Sequence, residues 1–381
     1  MVVTGKVPQR IARLTSFADA LEHIGRNVSA IAPRDVETGA ALGRVLAAAD
    51  VVAEPHPAAA IALRDGWAVS SAATLDAGSY APAVLARAPV SVQVGDPIPA
   101  GADAVAPLDA VEFRGTVANA LLTLAPGEDV LACGMDAAAG AALLRVGYRI
   151  SRTGLAVLTA IGRDRVSVRE PRVRIAPARP GRNVIIDAIL TLLVGAVEAE
   201  GGVAIRGEPT SEDEHGLDGV LTVKDVDAVI IVGGSGVGAR DQSVATLGRL
   251  GKLAFHGVAL APGETAAFGM VESRPVLVAP GRLDAAFAVW LTLGRYMVAR
   301  LTARSADDPC PAWPAILGRK VTSTIGLAEV IVLRQEGGGV VPLGSGYLSL
   351  QALAVADGWF LIPADSEGIA ADATIIVKSL P

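Results

Sequence analysis

Val229-Ile-Ile-Val-Gly-Gly-Ser-Gly-Val-Gly-Ala-Arg-Asp241 is the stretch that decides the fold. A run of β-branched residues without polar alternation fits a strand buried on both faces. It empties into a turn whose Gly233, Gly234, Gly236 and Gly238 tolerate positive φ and let backbone N–H groups approach a ligand. With a helix following, such a turn favours an anion such as phosphate. The alternative is a tight strand-to-helix turn without a ligand. The stretch lacks the Gly-Lys-Ser/Thr ending of a nucleotide-hydrolase loop and the six-residue dinucleotide pattern. Asp241 closes it, where an acid could bind a metal, orient a polar ligand or cap the next helix. Ser235 either donates to an anion or stabilises the turn, and Arg240 either meets phosphate or faces water.

Working outward, strand and helix patterns alternate from Pro171 onward. Helices are predicted at Asp187–Glu200, Gln242–Leu250 and Asp284–Leu301, and strands at Ala228–Val232 and Val276–Ala279. Together they predict an open parallel sheet covered on both faces. A second turn, Leu260-Ala-Pro262-Gly263-Glu-Thr265, lies before Pro275–Asp284, in which Pro280-Gly281-Arg282 ends a strand just ahead of a helix. Ligands collect at such positions in α/β folds, with Arg282 a phosphate contact or a surface residue and Asp284 the N-cap of its helix.

Upstream, Thr15–Gly25 reads as a helix ending at its glycine, and Val36–Leu46 as a second helix. Between Pro55 and Gly127, Gly and Pro break the chain into short strands such as Ala83–Leu85, Val90–Val94 and Ala104–Ala106. Beyond a Pro-containing linker at Asp307–Pro314, short strand-like runs return and predict a C-terminal β domain. Asp65, in Leu63-Arg-Asp-Gly-Trp, and Asp129, in Gly127-Glu-Asp, sit in turns as ligand contacts or as ordinary turn residues.

The chain has 381 residues with 33 Lys plus Arg, 39 Asp plus Glu, a net charge of −6 and 51% hydrophobic residues. That balance excludes a largely disordered chain and argues against nucleic-acid partners, which need clustered basic residues. Cys133 and Cys310 supply neither a disulfide framework nor a thiolate metal site. The first thirty residues carry no secretory pattern and Ala188–Val197 is too short to span a bilayer, so no membrane partner and a cytoplasmic location are expected. His23, His56, His215 and His256 follow no zinc spacing, Glu212–His215 reads as a solvated face, and no G-x-S-x-G elbow anchors a hydrolase.

The ordered motifs "ALGRVLAAADVVA", "RDGWAV", "VGDPIPAGADAV", "PGEDV", "DAVIIVGGSGVGARD", "FHGVALAPGETAAFG", "VLVAPG" and "LSLQALAVADGWFLIP" resemble the MoeA family, the molybdopterin molybdenumtransferases. The resemblance runs from about residue 15 to the C-terminus. It implies an elongated, multi-domain α/β and β architecture. The expected parts are an N-terminal linker domain (1–47 and 126–170), an inserted β-rich domain (48–125), a central parallel-sheet α/β domain that binds molybdopterin (171–303) and a C-terminal β domain (315–381). It also implies a homodimer with a cleft shared across the dimer. The implied reaction inserts molybdenum from molybdate into adenylylated molybdopterin with release of AMP, assisted by Mg2+.

Carried over by position, Asp241 and Asp187 would orient pterin or metal, with Asp241 the metal ligand, while Asp65 and Asp129 approach as further catalytic acids. Gly233, Gly234, Ser235, Gly236, Gly238, Pro262, Gly263, Pro280, Gly281 and Arg282 would hold the pterin ligand. The polar positions depart, however. D-N-S-A-M-D-G-Y is Ala60-Ile-Ala-Leu-Arg-Asp-Gly-Trp here, a threonine is Val94, and T-G-D-E-L is absent from Ile175-Ala-Pro-Ala-Arg-Pro-Gly. D-S-N keeps only Asp187, K-P-G-K-P is Ala261-Pro-Gly-Glu-Thr265, and P-G-N-P-V-S is Pro280-Gly-Arg-Leu-Asp-Ala285. Three functions are therefore open: a transferase with altered contacts, a noncatalytic molybdopterin-cofactor binder or chaperone with a cofactor-receiving protein as partner, and a repurposed interaction scaffold.

Overall fold

The computed structural model describes residues 9–211, 215–238, 240–304 and 311–381. The chain divides into two compact units, one formed by the N-terminal 48 residues with Val146–Pro381 and the other by Ala49–Arg145.

The larger unit is built on a six-stranded sheet. Its elements are β1 (Arg172–Pro177), α1 (Val184–Ala199), β2 (Val203–Arg206), β3 (Ala228–Val232), α2 (Ser243–Leu250), β4 (Lys252–His256), β5 (Ala267–Val271) and β6 (Arg274–Ala279). The spatial order is β2-β1-β3-β6-β5-β4. β2, β1, β3 and β6 are parallel, whereas β5 and β4 continue the sheet antiparallel. The expected parallel sheet is thus mixed, because β5 and β6 form a hairpin turning at Glu272, φ +56°, and hairpin partners run antiparallel.

The unbroken apolar run of β3 has a physical reason. Ile230 and Val232 pack with α1 and the helix at Phe17–Asn27, while Val229 and Ile231 pack with Leu217, Leu221 and Leu247 on the other face. The sheet is covered on both sides. α1 begins at Val184, ahead of the predicted Asp187, because the Asn183 side chain accepts from the Ile185 and Ile186 N–H groups. After β6, α3 (Leu283–Val289) runs through a π-helical turn, Trp290–Gly294, into α4 (Arg295–Thr302). Asp284 is not its N-cap. Arg282 holds that position, and Asp284 is the second residue of the first turn.

Glu200, just past α1, is 3% exposed and meets Arg295 of α4 at 2.7 Å and Arg304 at 2.5 Å. It pins the end of one helix to the end of another.

The N-terminal helix spans Phe17–Asn27, with Ser16 accepting from the Asp19 N–H. Gly25 does not end it. A Cβ there would lie 2.8 Å from the Tyr296 hydroxyl, so the glycine permits close helix packing. The helix expected at Val36–Leu46 is absent. Arg34–Glu37 and Val45–Leu46 instead pair antiparallel with Arg165–Arg169, on either side of a 3-10 turn at Thr38–Ala40. Gly43 at φ +79° breaks any helical continuation.

The C-terminal strands Ala328–Glu336, Gly358–Ile362, Thr374–Ser379 and Ala312–Ile316 form a sheet that also takes in Leu260–Ala261, parallel to Ala328–Glu329. That pairing fixes the start of the Pro262–Gly263 turn. Pro314, expected in a linker, lies in the edge strand, where a missing N–H is tolerated. The rest of that linker up to Cys310, apart from Pro311 onward, lies outside the described residues.

The smaller unit is β-rich. One sheet joins Ala83–Val84, Val117–Ala120 and Val111–Arg114, and another joins Val90–Val92, Gly66–Val69 and Ala104–Ala106. Val69, Leu85, Ala104, Val111, Ala118 and Leu124 form its main core. Cys133 is exposed there. Among the described residues, no helix is long and apolar enough to cross a membrane.

Candidate functional site

β1, β3 and β6 end side by side, with Pro177 opposite Val232 and Val232 opposite Ala279. The loops that leave them meet at this edge of the sheet. Gly233, φ +89°, donates to the Ala279 carbonyl, and a Cβ on Gly281 would lie 3.5 Å from the Gly233 Cα. The two backbones lie in van der Waals contact, and it is the positive φ of Gly233 that calls for glycine there.

Gly234, φ +67°, would place a Cβ 2.3 Å from Ser243 Oγ, and that hydroxyl donates to the Gly233 carbonyl at 3.0 Å. Ser235 is 1% exposed. Its hydroxyl pairs with that of Thr265 at 3.0 Å, and its carbonyl meets His256 Nε2 at 2.8 Å. Ser235 therefore stabilises the turn in this arrangement.

Asp241 does not cap α2. The N-cap is Gln242, without a side-chain bond, while Asp241 Oδ2 accepts from the Gly238 N–H at 3.1 Å. Its other oxygen lies 3.7 Å from Arg179 Nη2, and the same guanidinium donates to the Arg240 carbonyl. Arg179 stands on the loop after β1, where the sequence pattern led one to look for an acid. The α2 N-terminus is satisfied from far away. Val244 and Ala245 N–H both donate to the side-chain oxygen of Gln9, whose NH2 donates to the Gly234 and Gly236 carbonyls.

On the opposite wall, Arg282 makes a bidentate pair with Asp284 at 3.1 and 2.6 Å and lies 5.6 Å from the Tyr347 ring centroid. The Asp284 hydrogen bond raises the Arg282 pKa against the lowering effect of burial, helped by the charges of Asp284, Glu264 and Tyr347. A cleft of about 420 Å³ opens here, lined among others by Asn183, Ile185, Ile186, Arg282, Tyr347 and Leu350. Pro262 follows a cis peptide bond, and Gly263 donates to the Glu264 carboxylate at 3.0 Å. Asp187 is half-buried in the first turn of α1, and its carboxylate has no hydrogen-bond or ion-pair partner among the described residues.

Asp65 and Asp129 belong to the smaller unit. The pairing of Ile61–Ala62 with Val130–Leu131 brings their segments together. Asp65 accepts from the Val94 N–H at 2.9 Å, and Asp129, at φ +56°, pairs with Arg64 at 3.0 Å. Glu212, Asp213 and Glu214 lie outside the described residues. His215 meets Asp218, whose carboxyl is held below its ordinary value first by the Arg249 hydrogen bond and then by His215, against desolvation.

The residues at Asp241 do not fit Mg2+. A hard dication needs several oxygen ligands, but one Asp241 oxygen serves the loop and a guanidinium faces the other. Among the described residues, no three His, Cys, Asp or Glu converge as a metal site. Gln9, Arg64, Arg179 and Tyr347 were not singled out as site residues from sequence. For Arg179 there was a signal, a cation in place of the missing T-G-D-E-L acid. Gln9 offered none, since its partners lie more than 220 positions away.

The family model for the MoeA N-terminal region, domains I and II, matches residues 15–162, and that for a probable molybdopterin binding domain matches residues 158–300. A molybdopterin biosynthesis moeA protein from Pyrococcus horikoshii OT3 has a similar crystal structure, with TM-score 0.74, 25% identity and coverage of 97% of this chain and 100% of that one. Molybdopterin molybdenumtransferase 2 of Mycobacterium tuberculosis is 26% identical over 313 residues, 76% of each chain.

Proposed function

The chain belongs to the MoeA family, with a general role in handling molybdopterin and molybdenum, and on that premise we propose that it binds a molybdopterin-type ligand without inserting the metal. The observation that carries this reading is the Arg179–Asp241 pair. An internal guanidinium occupies the charge position at the retained acid, so the loop is neutralised without a dication. Similar pairing at Arg64–Asp129 and Arg282–Asp284 leaves these carboxylates committed to the protein itself.

Binding needs less than insertion, and the elements for it are present. The N–H groups of Gly234, Gly236 and Val237, on partly or fully exposed residues, make no hydrogen bond to the described residues and can take phosphate oxygens. Gly233 and Gly281 keep the floor open for that group. Arg282 over Tyr347, with Ile185 and Ile186, offers a cation and an apolar wall for a flat heterocycle. Asp187, whose carboxylate has no partner among the described residues, is the acid proposed to orient the polar edge of the ligand, and Pro262, Gly263 and Pro280 shape the turns around it. Molybdate has no role in this reading except as the substrate of the transferase alternative. A homodimer and a cytoplasmic location are part of the proposal, and sedimentation equilibrium at twice 38.6 kDa checks the first.

Binding of molybdopterin and its adenylylated form by calorimetry tests the function directly. Binding of neither ligand rejects it. The same instrument tests Asp241. Asparagine keeps an acceptor for the Gly238 N–H and loses only a long ion pair, worth about 0–1 kcal/mol at such exposure. Asp241→Asn is expected to leave ligand affinity within about twofold, and millimolar Mg2+ to leave wild-type affinity unchanged. A tenfold Mg2+-dependent gain that Asp241→Asn abolishes would restore the metal role of this acid.

A further inference from the structure

We propose that Gln9 is the positioning residue of the glycine loop, so that the N-terminal arm, residues 9–16, is a working part of the anion site; this rests on the anion-binding reading of the loop given above. The carboxamide has two donor hydrogens and an oxygen able to accept twice. Here the donors go to the Gly234 and Gly236 carbonyls and the oxygen accepts from Val244 and Ala245, all at 2.9 Å. One side chain is saturated by two segments remote from it in sequence.

The consequences follow from peptide geometry. In a trans peptide the C=O and the next N–H point in opposite directions. With the Gly234 and Gly236 carbonyls drawn to Gln9, the N–H groups of Ser235 and Val237 are turned away from it on one side of the loop. Those N–H groups make no hydrogen bond to the described residues. The amide thus selects the loop conformation in which alternate donors face one direction. It also takes the α2 N–H groups that a phosphate would otherwise seek at a helix start. A phosphate in the Gln9 position would face the Gly234 and Gly236 carbonyl oxygens and be repelled. Ser235 is buried and Val237 exposed, so the anion site is the Val237 end of this donor row rather than the α2 N-terminus.

The arm that carries Gln9 is seated independently. Thr15 donates to the Gly257 carbonyl at 3.0 Å and accepts from the Ala259 N–H at 2.8 Å. Ile11 and Leu14 fill the space over Gly257, where a Cβ would come within 2.6 Å of Ile11 Cγ2 and 3.1 Å of Leu14 Cδ2. The next residue back, His256, holds the Ser235 carbonyl. Arm and imidazole grip three successive carbonyls of the loop, Gly234, Ser235 and Gly236.

Sulfate is the suitable probe because its charge is constant between pH 4 and pH 8. Calorimetry on the full chain is compared for wild type, Gln9→Ala and Gln9→Glu, with thermal unfolding as the folding control. Wild type binds sulfate. Gln9→Ala, still folded through its Thr15 contacts, is expected to lose about tenfold in affinity. Gln9→Glu loses at least as much at pH 7.5, where the carboxylate faces two carbonyls. It recovers part of the loss near pH 4.5, where protonation of a group with an ordinary pKa of about 4.3 restores one donor. Each loss is read as the ratio to wild type at the same pH, and a purely structural role would leave that ratio unchanged between the two pH values. Folded Gln9→Ala that binds sulfate as well as or better than wild type overturns the proposal and leaves the anion-binding loop standing. Wild type that binds no sulfate overturns both.

Discussion

Glu200→Gln is expected to destabilise the larger unit by about 3–5 kcal/mol, the range for breaking a buried ion pair by removing one partner. Glutamine has nearly the same shape, so the effect isolates the charge. The carboxylate bridges Arg295 and Arg304, whose side chains are 4% and 12% exposed. Removing it leaves two guanidiniums close together in a region of low polarizability, where their repulsion is weakly screened. Glu200 follows directly on α1 and Arg295 begins α4, so the loss acts on the packing that supports the sheet edge. Urea unfolding followed through the buried Trp290 is the readout. A shift below about 1 kcal/mol would mean that the pair contributes little beyond its own desolvation.

Gly236→Val is expected to weaken binding of a pterin phosphate or of sulfate about a hundredfold while the protein stays folded. A Cβ at Gly236 would lie 2.6 Å from Asp241 Oδ2, so the loop or the acid must move. Valine adds branching, which narrows the accessible backbone and carries bulk toward the donor row. Displacing the Gly236 carbonyl would also strain its bond to Gln9. Gly248→Ala is the matched control. It lies in α2 with open space around its Cα, and a helix-interior Gly→Ala change is stabilising by roughly 0.5–1 kcal/mol. Its ligand affinity should equal that of wild type. Equal affinity for Gly236→Val, with both proteins folded, would remove the loop from the binding site.

The parts of this fold that were legible in sequence are those set by local rules. Ala228–Val232 declared itself because a strand covered on both faces has no polar positions. A serine or threonine start marked the first helix, which runs two residues past its expected stop at Gly25. Val36–Leu46 was misread because its apolar spacing suits a helix, while its real partner, Arg165–Arg169, is more than a hundred residues away. Strand pairing is a long-range property that a short window cannot contain.

The same distinction governs the site. The glycine loop was visible because glycines clustered at a strand end mark either an anion-binding turn or a tight strand-to-helix turn. The pairing of the acids was not. Arg64 and Arg179 carried no site role in the sequence and Arg282 read as a phosphate contact or a surface residue, and only the fold brings them to Asp129, Asp241 and Asp284. At Arg64, Arg179 and Arg282, departures from the MoeA pattern therefore place a cation beside an acid. Gln9 carried no signal, because a glutamine in a sequence has no preferred partner until four backbone groups converge on it.

The central claim, ligand binding without metal insertion, is tested most directly by following AMP release from adenylylated molybdopterin bound to the wild-type protein, with molybdate and Mg2+ supplied together. Calorimetry on the same sample establishes that the ligand is held. The account predicts saturable binding and an AMP yield no greater than in a protein-free control. Molybdate-dependent AMP release above that control, abolished by Asp241→Asn, would contradict it.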